Sequence, residues 1–361
     1  MHHRHRPHAV DPHHDKVRVV LAYKNFGANK GVSHIGLGVA ALNTMQTLRA
    51  NGMHADVWPI TSPDDLDRRL AAEQSASLAR GEHPVSHVVV SAPWIPTERM
   101  RALIMQHPDV HFAVNSHSNV GFLMADPSGI RLLREGLELA VGHHNFSIGG
   151  NSAKFVDAWT RMYGVPCAWL PNLYNVEHCR AVGHRRPWSG GTLRVGVFGA
   201  TRPLKNMVTA VAACIEAAGR LHTDVEVWMN SGRDEGGKGV QSAIEQLVVN
   251  LPAVKLRHAG WQSWPGFRQV VASMHLLMQP SYTESFNMVT ADGIAMGVTS
   301  VVSDAIDWAP QDWMARVDDV SDVARIGTRL LHDVHAVDEG QRALRTYVAS
   351  GLDAWRRHLR A

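Results

Sequence analysis

Cysteine is scarce: only Cys167, Cys179 and Cys214 occur in 361 residues, and none is close to another. That excludes a disulfide framework or a zinc knot and fits the reducing cytoplasm, the expected location. No apolar run approaches about 18 residues, so no membrane span is expected. The opening "MHHRHRPHAVDPHHDK" lacks the apolar segment of a secretory leader, so it is not read as a signal peptide. Charge is also thin. Charged residues make up 19 %, the formal net charge is +3 and the pI is about 8.8. A mildly basic surface permits an anionic partner without requiring one. There is no short-period repeat, no heptad pattern and no dedicated DNA-binding motif. There is no strongly basic amphipathic helix of the kind that reaches lipid acceptors.

What is present is apolar material for two cores: 45 % hydrophobic residues in a chain long enough for two domains. Six histidines fall within the first fourteen residues. Residues 1–16 read as a disordered His-rich tail, with a metal-binding tail as the alternative.

Beyond the tail, short β-branched runs alternate with helix-length amphipathic stretches. "VRVVLAY" (17–23), "HADVWPI" (54–60), "SHVVVSAP" (86–93), "VHFAVNSHS" (110–118), "HNFSIGG" (144–150) and "CAWLPNL" (167–173) read as strands. "HIGLGVAALNTMQTLRANG" (34–52), "PTERMRALIMQ" and "SAKFVDAWTRMYG" read as helices. A Gly-, Pro- and Arg-rich break, "GHRRPWSGGT" (183–192), reads as an interdomain linker. The alternation then restarts with strands "LRVGVFG" (193–199), "VEVWMN", "VKLRHAG", "HLLMQPS" (275–281) and "VTSVVSDA" (298–305). The expected class is α/β: two Rossmann-like, doubly wound parallel-sheet domains at 17–182 and 193–335, facing across a cleft. A C-terminal helix within 336–361 is expected to pack back on the first domain. Ligands of such sheets bind at the carboxyl ends of strands, so the cleft is the expected site.

Two stretches carry chemistry. In "TESFNMVTADGIAMGVTSVVSDA" (283–305), a strand is followed by Glu284 and, eight residues on, Asp292, with no basic residue between them. A helix starting near Ser285 or Phe286 leaves backbone N–H donors that favour a phosphate. Glu284 would stand outside that end and Asp292 about two turns inside. Separated by about 80° of helical rotation, the acids could hold two parts of one long ligand. The alternative is a carboxylate at the positive helix end and another on a solvated face. In "FGATRPLKN" (198–206), Arg202 and Lys205 follow a strand end, where cations oppose a helix dipole unless they neutralise a bound diphosphate. The alternative is two solvated cations.

"PSYTESFNMVTADGIAMGVTSVVSDA" together with Arg202 and Lys205 resembles the nucleotide-binding domain of retaining GT-B glycosyltransferases. That large family contains sucrose-phosphate synthases and bacterial α-mannosyltransferases and carries an E-x(7)-E motif after a "PS" strand end. Here Asp292 replaces the second Glu and is one methylene shorter. Asn287 stands where Gly is common. The resemblance implies that Glu284 contacts donor-sugar hydroxyls. It places the backbone of Ser285, Phe286, Asn287, Met288 and Val289 at the sugar and diphosphate. It gives the ribose to Asp292 and the diphosphate to Arg202 and Lys205. More loosely, it places His117, in "HSN", near the transferred sugar. The Gly-rich start of "HIGLGVAA", with Gly36 and Gly38, is placed near donor or acceptor. "LPNLYN" (170–175) resembles the family's domain exit. Gly36, Gly38 and Ala41 also satisfy a dinucleotide fingerprint, but Gly36 lies 13 residues beyond Tyr23, too far from its strand. Trp261 is a candidate base platform, with partly buried packing as the alternative.

The implied activity is retaining sugar transfer from a nucleotide-diphosphate sugar of UDP or GDP type, without a cofactor, a metal or a protein nucleophile. "SHIGLGVAALNTMQTLRANGMHADVWPI" and "NSHSNVGFLMADPSGIRLLRE" resemble a phage-type and bacterial subgroup. This implies hydroxymethylated DNA as one acceptor, beside small molecules, glycans and proteins. Another class stays open: a GT-B-shaped sugar-nucleotide epimerase or a non-catalytic binder, favoured by the Glu-to-Asp change.

Overall fold

A computed structural model describes residues 17–25, 35–179, 188–230, 236–260 and 262–360. The His-rich tail, part of the 183–192 break and Trp261 lie outside the described residues. The chain divides into two compact units, Met1–Leu173 with Gly351–Ala361, and Tyr174–Ser350. Each is an α/β unit around one parallel sheet.

The first unit alternates β1 (Arg18–Lys24), α1 (Ile35–Ala50), β2 (His54–Ile60), α2 (Pro63–Arg80), β3 (His87–Ser91), α3 (Thr97–Gln106), β4 (His111–Ser116), α4 (Pro127–Gly142), β5 (Phe146–Gly150), α5 (Ala153–Tyr163) and β6 (Cys167–Trp169). Its sheet runs β2-β1-β3-β4-β5-β6, with β1 in register between β2 (Val20 opposite Asp56) and β3 (Leu21 opposite Val89). Strands covered on both faces read as continuous apolar runs, and β3 is buried throughout. Helices stop where the chain allows it. Ser62 caps α2 by accepting from the Asp65 amide, and Gly81 ends it at φ 69°.

The second unit repeats the pattern. β7 (Leu193–Val197), α6 (Met207–Arg220), β8 (Val225–Asn230), α7 (Lys238–Val248), β9 (Val254–Ala259), α8 (Trp264–Ala272), β10 (Leu276–Gln279), α9 (Met288–Ala295), β11 (Ser300–Val302) and α10 (Val320–His332) follow in order. The sheet order is β11-β10-β7-β8-β9. The chain leaves β7 toward β8 on one side and returns to β10 on the other. The carboxyl ends of β7 and β10 therefore flank the point where strand order reverses, the place at which open α/β sheets take ligands. Strand ends fall a residue or several inside the apolar runs of the sequence, because the runs continue into the turns.

The last helix, α11 (Ala336–His358), begins in the second unit and ends in the first. Within the first unit, the Trp355 indole donates to the Pro171 carbonyl at 2.9 Å. A Cβ at Gly351 would come within 2.6 Å of Leu173 and 2.9 Å of Pro171, so glycine sets this close approach. The last turn carries His358 against the strand starts of β3 and β4. Its ring lies 5.7 Å from that of His87 and 5.2 Å from that of His111, and His87 and His111 are 5.7 Å apart. His87 meets the Ser86 hydroxyl at 3.0 Å and His111 the Ser147 hydroxyl at 3.1 Å. Burial, reinforced by the neighbouring imidazoles, lowers the pKa of His358 to about 3. Burial and His111 lower that of His87 to about 4.

These folded values lie below the ordinary 6.5, so the unfolded chain binds the protons first. The stabilisation is complete above about pH 6.5 and is lost as pH falls toward about 4. We expect the folding free energy to drop below pH 6 by about 1 kcal/mol per pH unit for each imidazole. Denaturant titration at several pH values checks this, and the slope should be shallower in His358→Gln.

Candidate functional site

The site in the second unit is built from two strand-to-helix turns. β7 runs into Phe198 and Gly199, whose φ of 129° suits glycine. The Gly199 amide donates to Asn230 Oδ1 at 2.9 Å. A short 3-10 turn, Pro203–Lys205, follows Arg202. Asn206 then takes φ 54°, a left-handed conformation that asparagine tolerates. Its side-chain amide donates to the Pro280 carbonyl at 3.0 Å and the Val317 carbonyl at 2.7 Å. Asn206 thus ties the loop after β7 to the loop after β10.

From the other turn, Gln279 at the end of β10 donates to the Phe198 carbonyl at 3.1 Å. The Tyr282 amide donates to the Leu204 carbonyl at 3.0 Å. Ser303 holds the Ser281 carbonyl at 2.5 Å. This framework brings Lys205 Nζ into a hydrogen-bonded ion pair with Glu284 Oε1. The same oxygen accepts from Ser281 Oγ at 2.8 Å and Asn287 Nδ2 at 3.1 Å. Burial pushes the Glu284 carboxyl up, but Lys205 and Arg202 together with these hydrogen bonds pull it below its ordinary value. It is held ionised.

The stretch between the two carboxylates holds no basic residue, and the structure supplies one from elsewhere: Lys205, distant in sequence, pairs with Glu284. The helix also begins later than Ser285 or Phe286. α9 starts at Met288, because Asn287 at φ 68° caps it by accepting from the Thr290 amide at 2.8 Å. The Phe286 carbonyl is taken by the Trp308 indole at 2.6 Å, and the two rings stack at 5.1 Å. Asp292 is therefore the fifth residue of α9, about one turn in rather than two, and it too has partners. Tyr174 Oη donates to it at 2.7 Å, Trp264 Nε1 at 3.0 and 3.1 Å, and Arg268 Nε stands 3.9 Å away.

Lys205, Glu284 and Asn287 are thus brought into direct contact, with Arg202 near enough to act on the Glu284 carboxyl. Ser285 lies beside them in sequence, and the amides of Met288 and Val289 open α9. Asp292 belongs to a separate cluster. Gly36, Gly38 and His117 belong to the first unit. Gly38 sits where a Cβ would lie 3.3 Å from the Tyr23 ring, which lets α1 approach β1 closely, while Gly36 has open space beside it. His117 follows β4 directly, and burial lowers its pKa to about 4, so the imidazole is neutral.

Some residues went unmarked in sequence. Asn206, Asn230 and Gln279 shape the site, and only the "KNM" asparagine before a helix hinted at a left-handed turn. On the first unit, Lys24 ends β1 at the reversal of strand order. Its ammonium lies 5.4 Å from the Trp94 ring, and burial lowers its pKa. Next to it, Ala92 takes φ 67°, a strained value for a residue with a Cβ. Among the described residues, no group of three or more His, Cys, Asp or Glu could hold a metal ion. No described helix is long and apolar enough to cross a membrane.

No protein-family model and no curated protein sequence matches the chain. Solved structures do share its fold. The chain is similar to sucrose-phosphate synthase from Thermosynechococcus elongatus (TM-score 0.62, 15 % identity, covering 95 % of this chain and 99 % of that one). It is similar to an α,α-trehalose-phosphate synthase (UDP-forming) from Burkholderia xenovorans in complex with glucose-6-phosphate (0.61, 11 %, 95 % and 100 %). It is also similar to a variant of TarM from S. aureus in complex with UDP and α-GlcNAc-glycerol (0.55, 12 %, 76 %), of which it spans 55 %. The two parallel-sheet units are thus those of the GT-B glycosyltransferase fold.

Removing one partner of a buried ion pair leaves an uncompensated charge. Lys205→Ala should lower folding stability by about 3 kcal/mol in urea titration, and adding Glu284→Gln should recover most of it. A double variant no more stable than the single one would mean that the pair is not internally coupled.

Proposed function

We propose that the chain is a glycosyltransferase that moves a sugar from a nucleotide-diphosphate sugar, of UDP or GDP type, to an acceptor hydroxyl with retention at the anomeric carbon. One observation carries the reading: Lys205, Arg202 and Glu284 gather at the carboxyl ends of β7 and β10, where strand order reverses. The fold shared with sugar-phosphate synthases supports it.

Negative charge builds on the departing diphosphate in an oxocarbenium-like transition state. Lys205, Arg202 and the opening amides of α9 would stabilise that state more than the ground state, which is what raises the rate. In this reading the chain's own cations supply the charge that a metal would otherwise bring, and the departing phosphate takes the acceptor's proton. Glu284, held ionised, accepts hydrogen bonds from donor-sugar hydroxyls. His117, neutral at physiological pH, is assigned the positioning of the transferred sugar by hydrogen bonding. The acceptor classes to test are hydroxymethylated DNA, small molecules, glycans and proteins.

Incubation with a panel of UDP- and GDP-sugars, with and without acceptors, tests the reading. Acceptor-dependent release of nucleoside diphosphate is expected, with mass spectrometry of hydroxymethylated DNA as one arm. Donor interconversion would make the protein an epimerase, and binding without turnover a sugar-nucleotide binder. Lys205→Ala and Glu284→Ala should each lower turnover by about a hundredfold or more. Undiminished rates in either variant would remove that residue from the mechanism.

A further inference from the structure

The two carboxylates of the 283–305 stretch are both buried but lie in different settings. Glu284 lies in a turn whose neighbours Thr283 and Ser285 are partly exposed and whose Tyr282 is 47 % exposed. Asp292 lies inside α9, where every residue from Thr290 to Ala295 is buried, and is itself 2 % exposed. Both of its oxygens serve the chain's own donors. Oδ1 accepts from the Tyr174 hydroxyl at 2.7 Å and the Trp264 indole at 3.0 Å, and Oδ2 accepts from the same indole at 3.1 Å. The cluster closes around them. The Arg268 guanidinium lies 5.2 Å over the Trp264 ring and donates to the His178 carbonyl at 2.7 Å. The His178 ring meets Trp264 edge-on at 5.3 Å. The phenol and the indole do not use every acceptor site of a carboxylate, but Asp292 is 2 % exposed, so an outside hydroxyl would have to open the buried cluster to reach it. Its shorter side chain works against any such reach.

We infer that Asp292 is an internal anchor for Tyr174 and Trp264 and not a ribose ligand, so that donor recognition does not draw on this carboxylate for the ribose diol. This rests on reading the Lys205–Glu284 site as a nucleotide-sugar site.

Calorimetric titration of the full chain with UDP, GDP and ADP and with their 2′,3′-dideoxy counterparts tests it. A hydroxyl-to-carboxylate contact is worth roughly tenfold in affinity or more, so the dideoxy-to-parent affinity ratio is expected to agree within about threefold between the wild type and Asp292→Asn. A loss of about tenfold or more in the wild-type protein, closing in Asp292→Asn, would overturn the inference and leave the proposed function standing. Absence of binding by every diphosphate would overturn both. A second readout reports the burial of the carboxyl. Burial raises the Asp292 pKa to about 6, against the opposing pull of the Tyr174 and Trp264 hydrogen bonds and of Arg268 at 3.9 Å. The folded chain therefore binds this proton before the unfolded chain does, and the carboxyl adds stability as pH falls from about 6 toward 4. The thermal midpoint of the wild type relative to Asp292→Asn should rise over that interval. A flat difference would mean that the carboxyl is solvated and open to a ligand, and would overturn the inference.

Discussion

The buried pair of Lys205 and Glu284 is the constraint on which the second unit's site depends. It joins the turns after β7 and β10, two neighbouring strands whose connections leave in opposite directions. Each charge alone would be costly to bury; together, with Ser281 and Asn287 also on Oε1, they make a satisfied network. The surrounding backbone is shaped to bring them together. Asn206 and Asn287 both take left-handed conformations, and each then spends its side chain on the facing loop or helix start. Most other residues in those places would meet a steric penalty, and glycine, which would not, would lose the hydrogen bonds.

The same strand-to-helix segment shows how partners decide ionisation. Glu284 and Asp292 are both heavily buried, and burial is the largest influence on each. Glu284 has a lysine in contact and an arginine nearby, and its carboxyl ends below the ordinary value. Asp292 has a phenol and an indole in contact, with an arginine only at 3.9 Å. Neutral donors return less than burial costs, and its carboxyl ends above the ordinary value. Seen only as two acids eight residues apart, they look like equals.

Much of the fold was legible in sequence because parallel strands covered on both faces appear as apolar runs. "HVVVS" and "LLMQ" are examples, each buried from end to end. The boundaries of α5 were legible because the run "SAKFVDAWTRMYG" places Ser152 before the helix and Gly164, at φ 68°, after it. The carboxylate partners were not legible. Lys205 and Glu284 are 79 residues apart, and Tyr174 and Asp292 are 118 apart. Sheet order brings the first pair together and the folding of the second unit the other, and no local pattern encodes either. The late start of α9 was hidden for a different reason. Asn287 sits in a stretch that reads as helical, and its positive φ is a property of the folded turn. Lys24 was missed because a lysine at a strand end is unremarkable until β1 is known to border the reversal of strand order.

Pairing Lys205 with Glu284 does not conflict with binding an anion at the same place. Two cations, Lys205 and Arg202, face one carboxylate, so the group keeps a net positive charge. A lysine held in position by Glu284 before a ligand arrives needs little reorganisation when negative charge develops on a leaving diphosphate. The pair is therefore a stability element and a preset electrostatic environment at once. This is why truncating Lys205 is expected to affect folding and turnover through one atom, Nζ, whose partner Glu284 would be left buried and uncompensated.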